Sequence, residues 1–250
     1  MSDIFDVLWL SSSPALARFD QPLLKYLSKY MKVAQWEYHS GKDEGSSIDE
    51  AVNLLNEFLT DHTDSIHLAG HGAGGAIAVN FARRYPEKVR SLTLLAVASQ
   101  PAHTWHAHYY VQRSLFTISR EQVLANSVRN LFGKQSHHTT KKLMSALDKD
   151  LDQTPLSHSI FKLVDLPKGG VSMPMMVCGS NNDPIVDPPA LQDWLKYFKP
   201  EDNLWECPQG HHFFHYFYPQ EVGQQILSFW QLYHLQPMLI SQLISQNLTT

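Results

Sequence analysis

The chain has 250 residues, 43% hydrophobic and 18% charged, which is enough apolar material for one sizeable core and excludes a disordered chain. Its 20 basic and 24 acidic residues leave a net charge of -4 with no block of either sign, so no partner among nucleic acids or anionic membranes is expected. Apolar stretches such as "LTLLAVA" are too short to span a bilayer, and "MSDIFDVLWL" carries acids where a secretory signal has a basic region; a cytoplasmic protein is expected.

The first apolar run, "DVLWL" at residues 6 to 10, predicts a buried strand that ends in "SSSP". A helix over residues 18 to 30 and a strand around "VAQWEY" follow. "GKDEGSS" reads as a loop, and Ser47 with Glu50 three residues on makes a capping box for the next helix. That helix puts Ile48, Ala51, Val52, Leu55, Phe58 and Leu59 on one face, at spacings of three and four. Then come the strand "SIHLA", the glycine-rich turn "GHGAGG" at residues 70 to 75, a helix to about Arg84, and the strand "SLTLLAVA". Steady alternation of strand and helix predicts an α/β fold, a mostly parallel sheet with helices on both faces.

The alternation breaks from Pro101 to about Gly170, where only helices are predicted: around 104 to 116, from cap Ser119 to stop Gly133, after Thr140, and after Pro155. An insert of about 70 residues is longer than ordinary connections, and it is expected to be a lid or a pocket wall on a single domain spanning residues 1 to 250. Alternation resumes with "PMMVCGS", a helix entered at Asp187-Pro188, the strand "NLWEC", and a helix entered at Pro219. Met238, Leu239, Leu243 and Ile244 recur at helical spacing and predict a short amphipathic helix laid on the body or on a partner. Two cysteines, Cys178 and Cys207, make no disulfide framework; they read as reduced core thiols, or as a pair joined between neighbouring strands.

Four of these pieces, in order, resemble the α/β-hydrolase fold over nearly the whole chain. "LAGHGAGGAIAVNFARRYPEKVRSLTLL" is similar to the family's nucleophile elbow, following helix and next strand. The helical insert stands where the family carries its cap. "MPMMVCGSNNDPIVDP" resembles the strand and loop that deliver the triad acid, and "GHHFFHYFYPQEV" the loop that delivers the triad histidine. The resemblance implies Asp183 as the acid, although one extra residue separates it from Gly179 and leaves Asp187 as an alternative. It implies His212 as the histidine, because Pro219 follows it by seven residues, with His211 as the alternative. The backbone amides of Ser13 and Ala73 would bind an oxyanion. The chain departs from the pattern at Ser11-Ser12, where His-Gly is usual, and it has no room for the family's leading hairpin.

The main departure is in the elbow. The motif G-x-S-x-G presents a serine hydroxyl on a sharp strand-to-helix turn, and here Gly72 stands at the serine position between Gly70 and Gly74. Glycine offers no nucleophilic atom, so acyl transfer through that position is excluded. It does relieve a backbone geometry that costs about 1–3 kcal/mol for residues with a side chain.

Three functions stay open at this point. One is a serine ester or acyl hydrolase by ancestry with impaired or altered chemistry. The second is a non-catalytic protein that binds a small ligand or acts as a scaffold. The third is an enzyme in which Asp183 orients His212 as a general base, worth on the order of 10²–10⁴-fold without a nucleophile. Trp105 and Tyr109 in the insert are expected to line an apolar pocket, for a small molecule with an apolar portion. His103 and His106 could share a helix face, but with no cysteine or paired carboxylate at ligand spacing, neither metal nor cofactor is expected. His67, His71 and His215 read as packing residues, and the sequence says nothing of oligomeric state.

Overall fold

The computed structural model describes residues 5–38, 47–100, 103–153 and 168–234. Six strands, β1 (Val7–Ser11), β2 (Val33–Glu37), β3 (Ile66–His71), β4 (Val89–Leu95), β5 (Met175–Ser180) and β6 (Asn203–Cys207), form one sheet in the order β2-β1-β3-β4-β5-β6. Every pairing is parallel. The helices are α1 (Gln21–Leu27), α2 (Ile48–Phe58), α3 (Gly72–Arg84), α4 (Trp105–Leu115), α5 (Arg120–Phe132), α6 (His137–Gln153), α7 (Pro188–Gln192), α8 (Phe214–Phe217) and α9 (Pro219–His234).

Side chains alternate across each strand, and that period sorts the core into two layers. Leu8, Leu10, Leu68, Leu92, Leu94 and Val177 pack with α2, α3 and α7 on one face. Val7, Trp9, Ala69, Leu95, Met176 and Cys178 pack with α1 and α9 on the other. Polar side chains buried in the sheet are paired: His67 Nδ1 lies 2.7 Å from Ser91 Oγ, and the Trp230 indole N–H donates to Thr93 Oγ1 at 2.9 Å. A third apolar cluster joins Trp105, Tyr109, Val123, Val128, Leu131, Phe132 and Leu147 of α4 to α6 with Leu16, Phe19 and Phe213. The helical insert therefore has a core of its own that docks on the loops after β1 and β6.

Several local signals act as expected. Ser47 Oγ accepts the Glu50 N–H at the start of α2. The α5 capping box of Ser119 and Gln122 is complete, and Gly133 ends the helix at a φ of 71°. Other boundaries moved. The helix expected over 18 to 30 is a short 3-10 turn, Ala17–Phe19, followed by α1, because the Asp20 carboxylate between them turns inward to buried partners. α6 starts at His137, earlier than expected, since Ser136 Oγ accepts the Thr139 N–H and caps the helix there. Cys178 and Cys207 are free and buried. Cys178 stands opposite Trp205 in the sheet and Ser180 opposite Cys207, so the thiols are diagonal and unjoined. The expected helices after Pro155 and around Met238 to Ile244, and most of the "GKDEGSS" loop, lie outside the described residues. No helix among the described residues is long and apolar enough to cross a membrane.

Candidate active site

β3 passes into α3 with no intervening loop, and Gly72 makes the turn at a φ of 52°. That left-handed geometry disfavours residues with a Cβ. The turn is tight because α3 lies directly on β1: a Cβ on Gly74 would stand 2.2 Å from the Leu10 carbonyl oxygen. At Gly72 there is space, and a Cβ there would meet only His212 Nε2, at 3.8 Å.

His212 is buried and its Nδ1 lies 2.8 Å from Asp183 Oδ2. A carboxylate accepts, so Nδ1 carries the proton and the neutral ring presents its lone pair at Nε2, toward Gly72. The second carboxylate oxygen of Asp183 accepts the Ile185 N–H at 2.8 Å, which fixes the acid in place. Asp187 is engaged elsewhere, accepting the Ala190 N–H as the cap of α7. Asn182 stands just before Asp183 in the acid loop. Its Oδ1 accepts from Ser180 Oγ and from the His211 N–H, both at 2.9 Å, and so ties the acid loop to the histidine loop. His211 sits at a φ of 55° with its ring against Gly133, away from the elbow.

A cavity of about 40 Å³ opens between the elbow and His212. Ser11, Ser12 and Ser13 after β1, Gly72 and Ala73 at the start of α3, and His103 to His106 at the start of α4 share its wall with His212 and Phe213. The insert thus covers the carboxyl ends of β1 and β3, the edge where open α/β sheets bind ligands. Of the residues singled out from the sequence, Ser13, Gly72, Ala73, Trp105 and His212 meet at this cavity, and Asp183 stands behind His212. Tyr109 is not on the wall; it is buried in the core of the insert. The Ser13 amide lies 3.5 Å from Ser11 Oγ, a long contact that leaves it available to a ligand. Ala73 lies in the first turn of α3, where backbone N–H groups have no partner within the helix.

No protein-family model matches this chain. It is 70% identical over 247 residues to the uncharacterized protein alr2406 of Nostoc sp., covering 99% of both chains. It is 36% identical over 225 residues to the uncharacterized protein sll0249 of Synechocystis sp., covering 90% of both, and so forms one sequence family with these two. Among solved structures, a thermophilic esterase superposes with a TM-score of 0.71 at 17% identity, over 92% of this chain and 90% of that one. The enol-lactonase from Burkholderia xenovorans LB400 superposes at 0.67 and 16% identity, over 90% and 91%. This chain has the α/β-hydrolase fold.

Within that hydrolase fold, three features of the site carry no signal in the motifs. Among the described residues, Ser12 Oγ and Trp105 Nε1 are buried at the cavity without a hydrogen-bond partner. The His106 ring is held by the buried Asp150, Nε2 to Oδ2 at 3.0 Å, which fastens the start of α4 to α6. Beneath the elbow, His71 packs between His212 and His215, with ring centres 4.8 and 4.5 Å away. His215 Nε2 lies 2.9 Å from Asp20 Oδ1, so His215 bonds a buried carboxyl group under the elbow. Burial pushes the Asp20 carboxyl up to about 6, against the opposing pull of His71 and the Trp9 N–H. Burial, with His212 beside it, brings His215 down to about 3. Burial, with His215 and His212 as neighbours, holds His71 well below the ordinary histidine range. Burial thus favours the neutral form of all three groups. Asp20 belongs to no motif, and only the unusual count of 14 histidines pointed toward such a cluster.

Proposed function

We propose that this hydrolase-fold protein activates water directly, with His212 as general base and Asp183 as the group that orients it. The observation that carries this reading is the free lone pair of His212 Nε2, which faces the space left by the missing side chain at Gly72. A water in that space takes the position of a serine hydroxyl, gives its proton to Nε2 and attacks a carbonyl carbon without a covalent intermediate. The amides of Ser13 and Ala73 stand beside it to receive the developing oxyanion. About 40 Å³ admits a few waters or the reacting end of a small acyl compound, so the apolar remainder of the substrate extends under the cap.

A second reading, a small-ligand-binding protein without turnover, is favoured by the unpartnered Ser12 hydroxyl and Trp105 indole N–H. Two buried groups without partners are expensive unless a ligand oxygen meets them. Hydrolysis of a small activated ester by the unmodified chain separates the two. Turnover above buffer, free of an initial burst and lost in His212→Gln, supports the base reading. A rate equal to the buffer's, together with saturable binding of a small carboxylate, supports the binding protein.

A further inference from the structure

We propose that Asp20, His71 and His215 form a binding site for a divalent transition-metal ion, zinc in the first instance, in the floor of the cavity beneath the elbow. Each residue offers one ligand atom within 4.8 Å of the other two. They come from three separate parts of the chain: the turn before α1, the last residue of β3, and α8. Two imidazoles and a carboxylate are a donor set that suits zinc and its neighbours in the first transition row.

The surroundings support this set as ligands. The His71 Nε2–H donates to the His212 carbonyl at 3.0 Å, which leaves Nδ1 with the lone pair a metal needs. Trp9 Nε1–H donates to Asp20 Oδ2 at 3.0 Å and holds the carboxylate with Oδ1 toward His215. Metal ligands are held by such outer hydrogen bonds to carbonyls and side chains. His215 Nε2, the nitrogen beside Asp20 Oδ1, can take an ion once its proton moves to Nδ1, which has no other partner among the described residues. Among the described residues the buried Asp20 side chain is bonded by the Trp9 indole and the His215 ring. The Asp20–His215 spacing of 2.9 Å already suits adjacent ligands. Around a zinc ion with bonds of about 2.0–2.1 Å, neighbouring ligands stand about 3.3 Å apart, so the three donors, now within 4.8 Å of one another, draw together to share an ion.

Asp20 and His71 both line the cavity, so a fourth position on the ion opens toward Gly72 and His212. A water held there has its pKa lowered toward neutrality. The site does not rest on the general-base reading, and metal binding is measured without any substrate.

The test uses the full chain, stripped with a chelator and titrated with zinc alone by calorimetry, and with cobalt(II) for its visible absorption. One ion per chain is expected, with the absorption of a low-coordinate nitrogen and oxygen site. Zinc should also raise Tm, as any ligand specific to the folded state does. Asp20→Asn keeps the shape of the side chain and its Trp9 bond. It should weaken binding by more than about a hundredfold, beyond the 10–100-fold typical of outer-shell changes. His71→Ala should do the same, while the exposed His138→Ala leaves binding unchanged. The proposal is overturned if zinc fails to bind one to one, or if binding survives Asp20→Asn. If His71→Ala fails to fold, Asp20→Asn alone decides between these outcomes.

Discussion

The Cβ that Gly72 lacks would stand 3.8 Å from Nε2 of His212, with no other described atom beyond its own turn of chain within 4 Å. The His212 ring, the Asp183 carboxylate that holds its Nδ1 and the space for a side chain at position 72 lie in line. A position with room for a side chain is occupied by the residue that has none, and the φ of 52° gives the physical reason.

Stability follows from that angle. Gly72→Ala and Gly72→Ser both force a side-chain-bearing residue into left-handed geometry, at about 1–2 kcal/mol. The nearest contact is an ordinary one, so the backbone carries the whole cost. Thermal melts should fall by a few degrees for each variant. A variant that melts at or above the parent would mean the turn is not held in that geometry.

Much of this site was readable because the elbow, acid loop and histidine loop are local motifs whose order survives sequence drift. Strand periodicity sorted the two core layers for the same reason. What the sequence hid is what depends on long-range packing. Asp20 is 195 positions from His215, and no local pattern links them; the sheet brings them together. Ser136 gave no sign of its capping role because "QSHHTT" lacks an apolar rhythm at its start. The sequence left Asp183 and Asp187 both open as the acid; only the folded loops show that Asp183 meets His212 and Asp187 caps α7.

The thiols should be inert in the native state. Cys178 and Cys207 are free and buried, and burial raises both thiols above their ordinary range. A raised pKa means less thiolate at neutral pH, and thiolate is the reactive form. A thiol reagent should find no fast-reacting group in the folded chain and two after denaturation. Rapid labelling of the native protein would place at least one thiol at the surface.

Acid should destabilise the metal-free chain through its buried histidines. His215 has its folded pKa lowered to about 3, and His71 is lowered too, so between there and pH 6.5 the unfolded state binds more protons. Stability from these rings is therefore full above about pH 6.5 and lost as pH falls toward 3. Asp20, raised to about 6, works in the opposite sense: its burial costs nothing below the unfolded value of 3.8 and costs most above pH 6. Two histidines outweigh one carboxyl, so Tm measured with chelator present should drop as pH falls from 7 to 4. A flat or rising Tm over that range would show that the rings are not buried as neutral groups.

The insert should loosen when its internal pair is cut. His106 and Asp150 are buried together at 3.0 Å, joining α4 to α6 beside the cavity. Replacing one partner of a buried, charge-assisted hydrogen bond costs about 1.5–3 kcal/mol. His106→Leu should therefore lower Tm by several degrees and speed hydrogen exchange in α4 and α6 more than in the sheet. Uniform loss of protection across the chain would mean that the insert and the sheet unfold as one unit.

Restoring the hydroxyl should switch on covalent chemistry. Gly72→Ser puts an oxygen near His212 Nε2, and Ser13 and Ala73, the residues proposed to receive an oxyanion, line the same cavity. A tethered hydroxyl needs less orientation than a free water, so hydrolysis of a small activated ester should rise by about a hundredfold or more over the unmodified chain. The kinetics should also change in kind. The restored variant should show a burst of product as an acyl-enzyme accumulates, and the unmodified chain should show none. His212→Ala added to Gly72→Ser should abolish the burst, whereas His211→Asn, which tolerates the left-handed backbone at that position, should leave it. Asp187→Asn should leave it as well, because that carboxylate caps α7 and does not touch His212. A burst that survives loss of His212 would assign the base to another residue. Absence of any burst in a folded Gly72→Ser chain would mean that the oxyanion donors are not set for acyl transfer, and that the pocket binds its ligand without turning it over.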